Sequence, residues 1–376
     1  MRLLVSCIPY DGGKSGISVY TRGLVGELRR RGHRLTLLAE PGVPAEAILG
    51  TAGGSAAAAG NVRVVSAPGW TKGPVASMLW HLFALPWWIL RRRKEFDGFV
   101  ICAANRRVCA FYPLPTAATV HDLANFRIPG KYSPLRMFYL RYVLPRFAKK
   151  AGHLVAVSAA TAADMVRFWG CREGDVAVLH EGFPAVPEGW GGAAGKNLLY
   201  ISRIEHPGKN HVRLIEAYGR LPRALAEAHP LVLAGADWKD AEVVKAAAAA
   251  SPHASSIRFA GFVPEGAAME KLWSETGFYV FPSLFEGFGL SLAEAMARGI
   301  PCACSGNGAL AEVGGDAAVS FDPEDSGDIA RALETLLGEG DGARRARVER
   351  GLARAKAFSW AAHAEGLERL LTGDGT

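Results

Sequence analysis

The residues of this chain that could do chemistry are concentrated around one glycine-containing turn. Residues 281–301 read FPSLFEGFGLSLAEAMARGIP, which places Glu286 in the turn and Glu294 in the segment that follows. The apolar run 277–281 predicts a buried strand, and residues 291–298 predict a helix that Gly299 ends. A turn between a strand and a helix directs backbone N–H groups and the positive end of the helix at one point. The pattern is therefore typical of an anion site.

The two glutamates indicate what kind of anion this site would accept. Two carboxylates would repel an isolated phosphate, but a carboxylate also accepts hydrogen bonds from sugar hydroxyls. A sugar nucleotide offers both a diphosphate and hydroxyl groups. The spacing Ser291-x-x-Glu294 also fits a capping box, in which Ser291 is the N-cap. Spacing alone leaves both interpretations open.

Two further polar groups follow predicted strands. Arg203 and Lys209 lie on a loop between the predicted strand 198–202 and a helix, where two cations can bind a diphosphate. Surface charge is the competing interpretation of this pair. His121 and Asp122 follow the predicted strand 116–120, and ligands of open α/β sheets bind at such carboxyl ends. A lone histidine is more often structural, so this pair is weak evidence by itself.

Taken together, these motifs resemble the donor-binding signature of retaining glycosyltransferases of the GT-B fold, in the large family four. The resemblance rests on Glu286 and Glu294 at their spacing, Pro282-Ser283 before them and Gly299-Ile-Pro301 after them. It implies a catalytic site of His121, Asp122, Arg203, Lys209 and Glu286, with Asp122 on the acceptor side or positioning. It further implies donor-binding by Gly16, Arg203, Lys209, Phe262, Val263, Glu286, Gly287, Phe288, Gly289, Leu290, Ser291 and Glu294.

The resemblance also implies a reaction. A hexosyl unit would move from a nucleoside diphosphate sugar, GDP-mannose-like or a UDP-sugar, to a glycan or lipid-linked hydroxyl with retention. Arg203, Lys209 and the turn N–H groups would stabilise the leaving diphosphate, so no cofactor and no metal is expected. A covalent role for Glu286 stays open beside a same-face mechanism. Bacterial polysaccharide or glycolipid synthesis is the expected setting.

The order of predicted elements gives the expected fold class, α/β. A β-loop-α-β start and a second alternation from Asn197 predict two doubly wound, Rossmann-like domains, which in the GT-B fold face each other across a cleft. The expected boundaries are an acceptor-binding domain at 1–184, a linker at 185–196 and a donor-binding domain at 197–356. A helix at 357–376 is expected to return to the first domain. The Ala/Gly/Ser-rich residues 44–60 are expected to form a mobile surface loop.

Composition sets the class of protein. The chain has 376 residues, 49% of them hydrophobic and 21% charged, which is typical of a soluble globular protein. Its six cysteines form no Cys-x-x-Cys pair, which favours a reducing cytoplasm and core positions for Cys302 and Cys304. The net charge of +7 suits polyanionic partners, but no recognisable nucleic-acid module organises it.

Two basic-aromatic segments, 79–94 and 131–150, suggest contact with an anionic membrane at its cytoplasmic face. The first carries Trp80, Trp87 and Trp88 before Arg91–Lys94, a pattern found at bilayer interfaces. A helix packed on the sheet explains the same residues equally well. For the whole chain, the alternatives are a sugar-nucleotide epimerase of the same fold and an inactive nucleotide-sugar-binding protein.

Overall fold

The computed structural model describes residues 1–13, 15–49, 60–128, 133–192 and 194–373. The chain forms two compact units. The first unit combines Met1–Phe183 with the C-terminal segment Ser359–Thr376, and the second is Pro184–Phe358. Each unit is built on one parallel sheet, so the predicted α/β class with two Rossmann-like domains is confirmed.

The first unit contains a seven-stranded parallel sheet in the order β3-β2-β1-β4-β5-β6-β7. Its strands are β1 Arg2–Ser6, β2 Arg34–Ala39, β3 Val62–Ser66, β4 Gly98–Ile101, β5 Thr116–Val120, β6 His153–Ala156 and β7 Val176–Val178. The central strands β4 and β5 are buried at every residue. This fits a sheet covered on both faces, whose strands read as continuous apolar runs.

The helices of the first unit are α1 Gly16–Arg30, α2 Ala45–Leu49, α3 Pro74–Leu79, α4 Leu85–Arg91, α5 Ala124–Arg127, α6 Pro134–Phe138, α7 Leu144–Ala148, α8 Ala159–Trp169 and α17 Trp360–Thr372, the last numbered by its place in the chain. A π-helical turn, Trp80–Ala84, joins α3 to α4, and another, Tyr139–Val143, joins α6 to α7. Each turn precedes a proline, Pro86 or Pro145. Proline removes a backbone donor and crowds the preceding turn, which accounts for the widened helix.

The second unit contains a six-stranded parallel sheet in the order β10-β9-β8-β11-β12-β13. Its strands are β8 Asn197–Ile201, β9 Leu231–Ala234, β10 Ile257–Gly261, β11 Thr276–Phe281, β12 Cys302–Ser305 and β13 Ala318–Phe321. Its helices are α9 His211–Tyr218, α10 Arg223–Ala228, α11 Ala241–Ala250, α12 Ala267–Ser274, α13 Leu290–Ala297, α14 Gly308–Gly314, α15 Ser326–Leu337 and α16 Asp341–Ala355. Cys302 and Cys304 fill the core as predicted, and all six cysteines are buried and free.

The segment predicted as a mobile surface loop begins with helix α2. Ile48 on that helix is fully buried, so this part of the segment packs against the unit. The prediction is therefore wrong for residues 45–49, because one apolar side chain suffices to anchor a short helix. Residues 50–59 lie outside the described part of the chain.

The expected linker is anchored to the second unit at two points. The Trp190 indole N–H donates to the carbonyl of Arg298 at 2.9 Å. A Cβ added at Gly195 would lie 2.0 Å from the backbone of Glu275, the residue before β11. The chain therefore passes the start of β11 at a distance that only glycine permits. Trp190 and Gly195 are therefore held by contacts with the rest of the second unit.

Candidate functional site

Three polar residues predicted from the sequence, Arg203, Lys209 and Glu286, lie beyond the carboxyl ends of the central strands of the second sheet. The chain leaves β8 toward β9 on one side and leaves β11 toward β12 on the other, so the connections diverge between β8 and β11. A crevice forms at such a switch point, beyond the carboxyl ends of the strands. The loop after β8 carries Arg203 and Lys209, and the turn after β11 carries Glu286.

The centre of this site is an ion pair. Lys209 Nζ lies 2.6 Å from Glu286 Oε1, and both side chains are mostly buried. Backbone contacts hold the two loops together, since the Leu284 N–H donates to the Gly208 carbonyl at 3.1 Å. Asn210 adds a side-chain bond to the Pro282 carbonyl at 2.9 Å. The lysine and the glutamate are therefore positioned by the same set of contacts.

The buried side chain of Tyr200 forms hydrogen bonds with both loops. The Tyr200 hydroxyl donates to the Lys209 carbonyl at 3.0 Å and lies 2.9 Å from Ser283 Oγ. Burial raises the pKa of this tyrosine well above its ordinary value, so it stays neutral and serves as a hydrogen-bonding support.

Arg203 occupies the more open side of the site. Its guanidinium lies 3.2 Å from Glu205 and 5.2 Å from the centre of the Trp238 ring. The Trp238 side chain, on the loop after β9, is 60% exposed. Sequence reasoning missed Trp238, because no motif marks a tryptophan in the loop that follows β9. Arg203 is thus held between a carboxylate and an indole while keeping access to solvent.

The turn before α13 gives the site its backbone donors. Gly289 is the N-cap residue of α13 and has φ +110°, a conformation that favours glycine. A Cβ there would lie 2.7 Å from Leu310 Cδ2, so space as well as backbone angle requires glycine. Gly287 precedes this turn, and Phe288 beside it is buried, with its ring against Phe358 at 5.4 Å.

The capping-box interpretation of Ser291 and Glu294 is wrong. Helix α13 begins at Leu290, so Ser291 lies inside the first turn rather than at the N-cap. The Ser291 hydroxyl accepts a hydrogen bond from the Tyr279 hydroxyl at 2.6 Å. Glu294 accepts from Arg298 at 3.2 Å instead of returning to a backbone N–H.

Glu294 is mostly buried, and its pKa differs from the ordinary value of a glutamate. Burial, partly offset by Arg298, raises the pKa of Glu294 to about 7. A glutamate in this state changes charge near neutral pH, whereas an exposed glutamate is ionised throughout.

Phe262 and Val263, two of the donor-binding residues that the resemblance implies, lie directly after β10. Phe262 is 51% exposed, and Val263 beside it is half-buried. Gly261, with φ +68°, turns the chain directly before them. These two residues therefore lie on the same carboxyl edge of the sheet as Arg203 and Glu286.

In the first unit, His121 is buried and both of its ring nitrogens have protein partners. Nε2 lies 2.7 Å from the carbonyl of Cys102, and Nδ1 lies 2.8 Å from Glu181 Oε1. A carbonyl only accepts, so Nε2 is the donor in its contact with Cys102. Glu181 was not selected from the sequence, because its contact with His121 is long-range.

The other predicted residues of the first unit, Asp122 and Gly16, lie near the starts of helices α5 and α1. Asp122 Oδ1 accepts from the backbone N–H of Ala124 at 3.0 Å, which starts α5. Gly16 is the exposed first residue of α1. In the second unit the structure therefore pairs Lys209 with Glu286 and places Arg203 on the same loop as Lys209. In the first unit His121, Asp122 and Gly16 lie at strand ends and helix starts. Within the described residues, no three metal-binding side chains come together.

Comparison with known families divides the chain as the two units do. The profile of Glycosyltransferase Family 4 matches residues 14–185, and that of Glycosyl transferases group 1 matches residues 193–352. Between them, the two profiles account for most of both units.

The curated relatives are glycosyltransferases. An O-antigen chain mannosyltransferase B of Escherichia coli is 32% identical over 260 residues, which are 64% of this chain and 66% of that protein. The serotype-specific mannosyltransferase WbdA of Escherichia coli is 36% identical over 180 residues, 46% of this chain but only 22% of that protein. The chain thus spans less than two thirds of these relatives' lengths.

Solved structures of the same fold cover both units. The Anabaena protein HepE, solved in complex with UDP and glucose, has a TM-score of 0.70 at 18% identity, covering 99% of each chain. WaaG, a glycosyltransferase involved in lipopolysaccharide biosynthesis, has a TM-score of 0.70 at 16% identity, covering 99% of this chain and 100% of that one. These likenesses show the GT-B fold.

Proposed function

We propose that this chain, which belongs to the family-four and group 1 glycosyltransferases, transfers a hexosyl unit from a nucleoside diphosphate sugar to a glycan or lipid-linked hydroxyl. The observation that carries the proposal is the Lys209–Glu286 pair beside Arg203 at the switch point of the second sheet. Two cations and a carboxylate in one crevice match a ligand that has both a diphosphate and hydroxyl groups.

The chemistry needs a stabilised leaving group. Negative charge develops on the diphosphate as the glycosidic bond breaks, and fixed cations lower the barrier by binding that charge. Arg203 and Lys209 supply two positive charges, and the N–H groups at the start of α13 add aligned dipoles. We propose that these groups serve in place of a divalent ion.

Retention is proposed to follow a same-face course. The leaving phosphate oxygen takes the proton of the acceptor hydroxyl as that hydroxyl attacks the face from which the diphosphate departs. In this arrangement Glu286 orients sugar hydroxyls rather than attacking the anomeric carbon, because its carboxylate is already bound to Lys209 at 2.6 Å.

GDP-mannose is the donor we propose first. The Escherichia coli relatives are named as mannosyltransferases. The HepE structure was solved with UDP and glucose, so UDP-glucose is the second donor to test. O-antigen or related surface polysaccharide synthesis is the proposed setting.

Donor turnover tests the proposal. Purified protein is incubated with GDP-mannose or UDP-glucose, with and without a lipid-linked saccharide extract, and free nucleoside diphosphate is measured with and without EDTA. We expect GDP release that needs the extract and survives EDTA. Conversion of the donor sugar without acceptor would support the epimerase alternative instead, and binding without turnover would support an inactive binding protein.

We also propose that the first unit docks on an anionic membrane at the cytoplasmic face. Val75, Leu79, Phe83 and Trp87 recur every four residues along α3 and α4, and each is about half exposed. Such spacing aligns side chains on one helix face. Trp80 instead belongs to the core, and Trp88 is half-buried. Of the three tryptophans predicted to contact the membrane, Trp87 is therefore the exposed one.

The second basic-aromatic segment presents a similar face. Leu135, Phe138 and Tyr142 are exposed on α6 and the π-helical turn that follows it. Lys131 lies outside the described residues. Loop 111–112 borders both segments, since Phe111 packs against Trp87 and Tyr112 donates to the Phe147 carbonyl.

Exposed basic residues flank these apolar faces and favour an anionic lipid surface as the partner. They are Arg91, Arg92, Arg93 and Lys94 in the first segment, and Arg136, Arg141, Arg146, Lys149 and Lys150 in the second. Each cation near an anionic leaflet contributes about 1 kcal/mol, and exposed aromatic side chains add apolar burial. None of the described helices has the length and apolarity to cross a bilayer.

A further inference from the structure

Arg298, at the end of α13, is the most deeply buried charged side chain near the proposed donor site. Its exposed fraction is 1%. The guanidinium lies between two indoles, 4.9 Å from the centre of the Trp190 ring and 5.3 Å from that of Trp273. An arginine so placed cannot be a solvated surface charge, and its desolvation must be offset by specific partners.

Two carboxylates provide those partners. Arg298 Nη1 and Nη2 each donate to one oxygen of Glu270 at 2.7 Å, a bidentate pair. Nη2 also donates to Glu294 Oε1 at 3.2 Å. Glu270 lies on α12 and Glu294 on α13, so the arginine ties two helices together. Its planar fork is suited to a bidentate contact, which lysine cannot reproduce.

The direction of the side chain follows from helix geometry. Side chains on a helix point toward its N-terminus, so Arg298 reaches back over the turn that contains Glu294. Its Nη2 hydrogen bond reaches Oε1 of that glutamate.

We propose that Arg298 is a positioning residue for Glu294: it fixes the carboxylate that accepts the ribose hydroxyls of the nucleotide, and Trp190 and Glu270 hold Arg298 in turn. The proposal rests on the proposed function, because a nucleoside diphosphate sugar presents ribose hydroxyls and the family resemblance counts Glu294 among the donor-binding residues. It assigns a role to the segment before β8 as well, since Trp190 both stacks on the guanidinium and donates to the Arg298 carbonyl at 2.9 Å.

The groups that face Glu294 set its charge. Arg298 on the same helix favours the ionised form, whereas Glu270 on α12 and burial favour the neutral form. Trp273 on α12 also favours the ionised form, and Tyr279 on β11 is neutral because burial raises its pKa. With its pKa near 7, Glu294 gains its charge as the pH rises through neutrality. Accepting two hydroxyl hydrogens needs the ionised carboxylate, so ribose recognition should strengthen over the same range.

The first experiment compares nucleotides that differ only in the ribose hydroxyls. Binding of GDP and 2′,3′-dideoxy-GDP, or of the uridine pair if wild-type protein binds UDP more tightly, is measured by calorimetry. We expect wild-type protein to prefer the ribonucleotide about tenfold, the value of one charge-assisted hydrogen bond. At pH 7 the preference should disappear in Arg298→Met, while dideoxynucleotide affinity stays unchanged.

The second experiment uses two variants with opposite electrostatic effects. Arg298→Met removes the cation, so the ribonucleotide preference should appear at higher pH than in wild-type protein. Glu270→Gln removes the competing carboxylate, so the preference should appear at lower pH. A merely structural role for Arg298 would shift neither midpoint in this opposed way. Glu270 is partly exposed, which keeps this test available if Arg298→Met fails to fold.

The outcomes separate the inference from the function on which it rests. If wild-type protein binds neither nucleotide, or binds ribonucleotide and dideoxynucleotide equally, the nucleotide role of this site fails. If wild-type protein discriminates and the foldable variants keep the same preference at the same pH midpoint, Arg298 does not position Glu294. Trp190→Phe, which keeps an aromatic ring on the guanidinium, should retain the preference, and Trp190→Ala should weaken it.

Discussion

At the scale of single residues, the site depends on charges whose partners are fixed before any ligand binds. Lys209 is already paired with Glu286, and Arg203 lies between Glu205 and Trp238. Side chains held in this way lose less rotamer freedom when a diphosphate enters.

Replacing either cation should lower turnover strongly. Arg203→Ala and Lys209→Ala each remove a charge-assisted contact to the leaving diphosphate, and we expect losses of about 10²-fold in kcat. Steady-state kinetics with the identified donor measures this effect. Lys239→Ala, an exposed lysine of the same unit, is the matched control and should keep wild-type activity. Unchanged kcat in both site variants would refute the assignment of the two cations.

The individual site residues were predictable to different degrees. Arg203, Lys209 and Glu286 follow strands whose order along the chain already indicated a shared edge of one sheet. The contacts of His121 with Glu181 and of Arg203 with Trp238 were not predictable. Each joins segments far apart in sequence, and neither partner stands in a motif that marks it.

At the scale of elements, the central buried strands were predictable, whereas two edge strands of the first sheet were missed. The apolar run of β11 and the strand β5 have the predicted position because burial on both faces demands continuous apolar residues. β3 and β7 were missed because they are edge strands with half-exposed residues, and β7 has only three residues. The predicted start of α13 was off by one residue, since the helix begins at Leu290 rather than Ser291.

The turn before α13 should tolerate no side chain at Gly289. Gly289→Ala would combine a left-handed backbone with a Cβ 2.7 Å from Leu310, so we expect a loss of about 1–3 kcal/mol in the free energy of unfolding. Urea denaturation measures it. Gly170→Ala is the matched control, because Gly170 is also left-handed, with φ +63°, and the nearest atom to a new Cβ there is Lys149 Nζ at 4.0 Å. If both variants lose equal stability, the contact with Leu310 contributes nothing.

The C-terminal helix α17 should be held in the first unit by an acid-sensitive pair. Hydrogen bonds from Arg31, outweighing the opposite effect of burial, and from His33 lower the pKa of Glu368 to about 2. A depressed carboxyl pKa stabilises the fold above the ordinary value of 4.5, and the contribution disappears as the pH falls toward 2.

Glu368→Gln should therefore lower the free energy of unfolding at pH 7 by about 1–2 kcal/mol, a value discounted because the pair is partly solvated. The difference from wild-type protein should shrink as the pH falls below 4.5, which denaturant titrations at several pH values would detect. Glu365→Gln on the same helix is the control, since its partner Arg369 lies 3.8 Å away and both side chains are exposed. A constant difference at every pH would contradict the linkage.

At the scale of the whole molecule, the positions of the exposed cations indicate which class of partner the net charge of +7 favours. Composition alone is compatible with nucleotides, acidic lipid or nucleic acid as partners. In the first unit, the cations of segments 79–94 and 133–150 flank exposed apolar faces. A nucleic acid offers no apolar layer for such faces, whereas a lipid surface offers both anionic head groups and acyl chains.

Membrane docking should then require both charge and the apolar face. Wild-type protein should sediment with vesicles containing anionic lipid at low salt and be released as salt rises, because the Debye length shortens from about 30 Å at 0.01 M to about 10 Å at 0.1 M. Arg91, Arg92 and Arg93 changed together to Ser should abolish binding at low salt. Phe83→Ser with Trp87→Ser should weaken binding while leaving its salt dependence in place, since these side chains contribute apolar burial rather than charge. Val243→Ser, an exposed apolar residue of the second unit, serves as the control and should bind like wild-type protein. If the triple variant sediments as the wild-type protein does, or if wild-type protein ignores anionic vesicles, this surface does not dock on membranes, whereas the proposal of glycosyl transfer is unaffected.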